Sequence, residues 1–93
     1  MRRIETTNAF KRDYKRVKAT PKHRDIELLL PEVLGLLVAD SPLSERHRDH
    51  ALSGEWKDHR DCHVKPDLVL IYRKPNDEVL QLVRLGSHSE LGL

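Results

Sequence analysis

Residues 68–73, Leu-Val-Leu-Ile-Tyr-Arg, are apolar on both faces of an extended chain, and this run most limits what the sequence can become. A strand apolar on one face can border solvent, whereas one apolar on both belongs inside a sheet. Flanking segments supply the rest of that sheet. Trp56–Val64 mixes polar and apolar residues in a half-buried pattern, and Glu78–Leu85 completes a meander. Lys65-Pro66-Asp67 and Lys74-Pro75-Asn76-Asp77 carry the turn chemistry between these strands.

Upstream, Arg2–Thr6 reads as a short first strand. Thr7 or Asn8 can cap a helix that runs to Ala19 and is stopped by Pro21. Phe10, Tyr14 and Val17 fall at i, i+4 and i+7 and form its buried stripe. A second helix is expected from Lys22 to Asp40, where Ile26, Leu29, Leu30, Val33, Leu34 and Leu37 recur at helical spacing. Pro31 interrupts it at a cost of about 3 kcal/mol, so a kink or a two-piece helix is expected. Residues 41–55 form a polar connection that carries His50. The expected class is α+β in the order β-α-α-β-β-β. Two N-terminal helices should pack on one face of a small, mostly antiparallel sheet whose other face stays open.

Ninety-three residues make a single domain, 1–93, that buries only about 60–65% of its unfolded surface. The basic start lacks an apolar segment behind it, so no signal peptide is read, and no run approaches the roughly 20 residues a membrane span needs. Cys62 is the lone cysteine and fits a reducing compartment. A cytoplasmic location without membrane contact is expected. Net charge is +2 but unevenly spread: residues 1–24 hold nine Lys/Arg against Glu5 and Asp13, whereas residues 25–93 hold eight against thirteen acids. That basic end is either a footprint for a polyanion or a solvated helix face.

The second half gathers His50, His63, Asp67, Arg84 and His88, proton carriers and a fixed cation with no evident packing role. Cleaving RNA without a metal needs a base for the 2′-OH, an acid for the departing 5′-oxygen, and a cation for the phosphate. Histidine suits both proton roles, with an unperturbed pKa of about 6.5. His63 and Asp67 flank a predicted hairpin turn, and Arg84 and His88 end the last strand, which an antiparallel meander brings beside Asp67. Each residue also has a plainer reading. His50 and His63 could be ordinary surface or strand residues, Asp67 a turn former, and Arg84 an ion-pair partner of Asp61 or Asp67. His50, His59, Cys62 and His63 fit no standard zinc spacing, so neither metal nor cofactor is expected, and Cys62 should face the helices.

Asp49-His50-Ala51-Leu52, Arg60-Asp61-Cys62-His63-Val64, Pro66-Asp67 and Arg84-Leu85-Gly86-Ser87-His88 occur in the order and with the gaps of a known family. From about Ile4 to Gly92 the chain resembles the RelE superfamily of bacterial toxin endoribonucleases, most closely its YafQ-type branch. The resemblance implies the toxin of a type II toxin–antitoxin pair, an mRNA interferase that cuts mRNA in the ribosomal decoding site. It implies cleavage roles for His50, His63, Asp67 and His88 and phosphate binding by Arg84, with His50 taken as base, His88 as acid and Asp67 as orienting or sharing that role, an order that the sequence leaves open. Lys11, Arg12, Lys15, Arg16 and Lys18 of the first helix, with Lys57 and Arg60, would grip ribosomal RNA. A cognate antitoxin, the ribosome and mRNA are the implied partners, and the toxin–antitoxin complex could bind DNA through the antitoxin. The tail departs from the family's pattern: Gly92 stands where an aromatic is common, and Leu68 replaces a common tryptophan. The rival readings are a gyrase-poisoning ParE-like toxin and a homologue that binds antitoxin without cutting.

Overall fold

The computed structural model describes all 93 residues. Strand β1 (Arg3–Thr6) leads into helix α1 (Asn8–Ala19), and helix α2 (Ile26–Val38) follows a 3-10 turn at Pro21–His23. Then come β2 (His50–Ala51), β3 (Arg60–Lys65), β4 (Leu68–Asn76), β5 (Val79–Gly86) and the one-turn helix α3 (His88–Leu91). They form a five-stranded sheet of order β1-β5-β4-β3-β2. β1 runs parallel to β5 and the remaining pairs are antiparallel. The class is α+β as expected, and the strand built on Leu68–Arg73 lies at its centre.

Thr7 opens α1, its hydroxyl accepting the Phe10 N–H at 3.0 Å. Phe10 and Val17 of α1 and Ile26, Leu30, Val33 and Leu37 of α2 bury against one face of the sheet. That face presents Cys62, Val64, Leu68, Leu70, Tyr72 and Leu80. Cys62 is fully buried there, and burial pushes its thiol up to about 12. It is a packing residue, as alternation along β3 requires.

The structure corrects several boundaries. The second helical stretch breaks at Arg24–Asp25, before Ile26, and continues as one helix through Pro31. Pro31 is exposed, so its ring meets solvent while Leu30 and Val33 stay buried and hold the helix on the sheet. The third strand starts at Arg60, because Gly54–Trp56 forms a 3-10 turn. Two short elements, β2 and α3, occupy stretches that carry no periodic signal. Nor is the second face open. Val69 and Ile71 are covered by Leu91 of α3 together with Leu52 and Trp56. No helix is long and apolar enough to cross a membrane.

Candidate active site

Register decides which side chains share the second face. His50 pairs with Asp61, Asp61 with Ile71, and Ile71 with Arg84, one row across β2, β3, β4 and β5. In the next row on the same side, His63 pairs with Val69 and Val69 with Gly86. His88 follows two residues after Gly86, at the start of α3. The ring centroids of His63 and His88 lie 4.9 Å apart, with planes tilted by 54°. His63 is buried, whereas His50 and His88 are exposed. Histidines from β2, β3 and α3 thus converge on one end of the sheet.

Local structure fixes how His50 is presented. Arg48 turns the chain with φ of 46°, a left-handed conformation unusual for a residue with a side chain. Its carbonyl then lies 2.8 Å from His50 Nδ1. A carbonyl can only accept, so Nδ1 carries the proton and Nε2 is left with the free lone pair. The preceding residue anchors the segment: Asp49 accepts Arg60 through both carboxylate oxygens, at 3.4 and 3.2 Å, and the Tyr72 hydroxyl at 2.5 Å. Burial and the Asp49 contact hold the Tyr72 phenol far above its ordinary value, so it remains a donor. His47 plays a similar anchoring part, with Nδ1 donating to the His63 carbonyl at 2.8 Å.

Asp61 lies beneath the histidines and is 1% exposed. Its Oδ1 is 3.1 Å from His50 Nδ1, but that N–H is directed at Arg48, so the oxygen has no hydrogen-bond partner. Burial raises the Asp61 carboxyl above its ordinary value, while His50, His63 and His88, when charged, pull it down.

Arg84 and Asp67 sit apart from the histidines. Arg84 is three strand spacings from His50, roughly 14 Å between backbones. Its guanidinium pairs with Asp13 of α1, at 2.6 Å from Nε and 3.3 Å from Nη2, leaving Nη1 free. Asp67 lies in the β3–β4 turn, 3.1 Å from Lys22 Nζ, and lines a separate hollow with Ser87 and Glu90. The hydrogen bond from Lys22 holds its carboxyl below the ordinary value, so Asp67 is a carboxylate at neutral pH.

His50, Asp61 and His88 line an open hollow of about 520 Å³, closed on its other sides by Leu52, Trp56, Gly92 and Leu93. Trp56 is half-buried, and its indole meets His59 edge-on at 5.4 Å. No three His, Cys, Asp or Glu side chains are grouped to hold a metal ion. Of the basic residues read as RNA-binding, Lys11, Arg12, Lys15 and Lys57 are exposed. Arg16 is committed to Asp13, Lys18 to Glu27 and Arg60 to Asp49.

Sequence reasoning missed Asp13, Trp56 and Asp61 as members of this region. Each left a trace. Asp13 falls between Phe10 and Val17 on an apolar stripe, where a charge is out of place. Asp61 precedes Cys62, so alternation turns it away from the helices and onto the side of His63.

Known proteins share this fold and much of this sequence. The family profile described as bacterial toxin of type II toxin–antitoxin system, YafQ, matches residues 2–92. The mRNA interferase toxin YafQ of Escherichia coli K12 is 38% identical over 90 residues, spanning 97% of this chain and 95% of that protein. Among solved structures, YafQ in the E. coli DinJ–YafQ complex superposes with a TM-score of 0.82 at 36% identity, each chain covered to 98%. A metal-bound toxin from Helicobacter pylori superposes with a TM-score of 0.83 at 45% identity, covering 98% of this chain and 99% of that one. Fold and sequence show that this chain belongs to the YafQ family of bacterial type II toxin–antitoxin toxins.

Proposed function

We propose that this toxin is an endoribonuclease that cuts mRNA on the ribosome by metal-independent attack of the 2′-OH, and that a cognate antitoxin restrains it. One observation carries the reading: His50, His88 and the buried Asp61 line one open hollow, and His63 packs against His88. His50 Nε2 accepts the 2′-OH proton while Nδ1–H stays on the Arg48 carbonyl beside Asp61. The 2′-oxygen attacks phosphorus, and His88 gives a proton to the departing 5′-oxygen. The products are a 2′,3′-cyclic phosphate and a 5′-OH. His63, against His88, shares in proton movement, and the free Nη1 of Arg84 meets the phosphate's charge. Asp67, an exposed carboxylate, is suited to accepting or orienting rather than to donating a proton.

Lys11, Arg12, Lys15 and Lys57 supply the contacts to ribosomal RNA, since their ammonium and guanidinium groups face solvent. An antitoxin partner is supported by the E. coli complexes in which YafQ is bound to DinJ. The test is cleavage by the purified protein of mRNA on translating ribosomes, with and without chelator, alongside the same RNA free in solution. Cutting confined to ribosome-bound mRNA and indifferent to chelator is expected. Equal rates on naked RNA would refute ribosome dependence, and inhibition by chelator would refute metal independence.

A further inference from the structure

Asp13 is the only carboxylate of α1, and it is 3% exposed. A charge so placed is costly unless paired. β1 covers β5 only as far as Leu82, so beyond that point the margin of β5 has no strand beside it. Asp13 takes the missing strand's place: its Oδ2 accepts the Leu85 N–H at 3.0 Å. Arg84 Nε donates to the same oxygen at 2.6 Å, and Arg84 Nη2 and Arg16 Nη1 donate to Oδ1 at 3.3 and 3.0 Å. Burial works to raise this carboxyl, yet the bonds from Arg84 and Leu85 outweigh it and leave it below the ordinary value.

The chain of charges continues past Asp13. Arg16 Nη2 donates to the Leu85 carbonyl at 3.1 Å, and its Nε lies 3.4 Å from Glu90 Oε2. Glu90 accepts the Ser87 N–H at 2.9 Å and returns its own N–H to the Ser87 hydroxyl at 3.1 Å. That reciprocal cap forms the first turn of α3, on which His88 stands. Gly86 leaves room for the crossing, because a Cβ there would meet Arg16 Nη2 at 3.1 Å and Glu90 Oε1 at 3.2 Å. Arg84, Asp13, Arg16 and Glu90 therefore alternate in sign from the phosphate-binding cation to the helix that presents the acid.

We infer that Asp13 is a positioning residue, which sets Arg84 directly and His88 through Arg16 and Glu90, holding cation and acid in one frame. The inference rests on the ribonuclease reading above. A two-pronged bond to a carboxylate fixes a guanidinium's plane, so it fixes where the free Nη1 points. Misplacing such a group by about 1 Å can cost on the order of a hundredfold in rate.

Asp13→Asn keeps the size and an acceptor for Leu85 while removing the charge. In single-turnover and steady-state cleavage on ribosomes, kcat is expected to fall about tenfold or more with KM little changed. In an Arg84→Gln background the same substitution should cost clearly less than in the parent, because the part of its effect that passes through Arg84 is already lost. Unchanged kcat in folded Asp13→Asn, or an undiminished loss from the same change in the Arg84→Gln background, would overturn the inference. Should Asp13→Asn not fold, Arg16→Gln on a half-exposed side chain carries the test: a fall in kcat is expected, and an unchanged kcat would overturn the inference. The α3 arm is read in Glu90→Gln, which keeps the cap but drops the charge: displaced His88 ring NMR signals are expected, and unmoved signals would remove that arm. If the parent protein cuts no mRNA on ribosomes, the ribonuclease reading fails instead. Exchange of the Arg84 Nε–H then decides the positioning role, being slow in the parent and fast in Asp13→Asn if Asp13 holds it, and equal in both if it does not.

Discussion

His50 and Asp61 face each other across the β2–β3 pair with 3.1 Å between Nδ1 and Oδ1, yet the imidazole proton goes to the Arg48 carbonyl. The carboxylate is thus buried beside the rings without a hydrogen bond at that oxygen. Such an arrangement costs stability and suits a group kept for its field at the moment a proton moves.

Asp61→Asn separates the two effects. Burial raises the Asp61 carboxyl above the unfolded value of 3.8, so the folded protein binds that proton more tightly. Stability linked to this group is complete below the unfolded value and is lost as pH rises through the folded one. Removing the charge should therefore raise Tm at neutral pH, with the gain vanishing as pH falls toward 3.8. Cleavage should drop about tenfold or more, because the imidazolium loses its counter-charge. Calorimetry showing a lower Tm at neutral pH would show that Asp61 stabilises the fold after all.

His50→Ala and His88→Ala should each slow single-turnover cleavage on ribosomes by roughly 10²-fold, the scale of losing one proton-transfer group. Both side chains are exposed, so thermal stability and antitoxin binding should hardly change. His63→Ala should combine a rate loss with a fall in Tm, since His63 is buried against His88. Parent-like rates in both the His50 and His88 variants would refute the assignment.

Much of this was readable from the chain because the signals were periodic. The Phe10–Tyr14–Val17 stripe gives α1, and the doubly apolar run gives the central strand. β2 and α3 span two and four residues, too short for any period to show, and the only local mark is the Ser87–Glu90 cap that opens α3. The late start of α2 was hidden because no Gly or Pro separates Lys22 from Ile26, although the chain there takes a 3-10 turn, Pro21–His23, that buries His23. Strand order brings His63 and His88 into direct contact, where Asp67 was expected to stand between them. It could not reveal that Arg84 turns to Asp13 or Asp67 to Lys22, since side-chain pairing across 71 and 45 residues leaves no local mark.

Replacing Lys11, Arg12 and Lys15 with Gln should weaken ribosome association and flatten its dependence on salt, because fewer counterions are released. Arg16 is left intact, as its guanidinium serves Asp13 and Glu90. The fold should survive, since these three side chains lie off the buried stripe. Identical binding to ribosomes at low and high salt would mark this face as merely solvated.

Trp56 is the only tryptophan and borders the hollow opposite His88, where the tail offers Gly92 and Leu93 rather than an aromatic. An indole so placed can carry a nucleobase beside the cleaved phosphate, and stacking of this kind is worth about 1–3 kcal/mol per base. Short single-stranded RNA should therefore quench the intrinsic fluorescence, with no second tryptophan to confuse the signal. Trp56→Phe should retain most activity, whereas Trp56→Ala should raise KM roughly tenfold and lower kcat less. Part of any loss will come from packing, because the indole also covers Val69 and Ile71. Trp56→Leu separates these, keeping apolar cover without a stacking face. If the Leu variant binds RNA and cuts as the parent does, Trp56 is a packing residue and the base lies elsewhere.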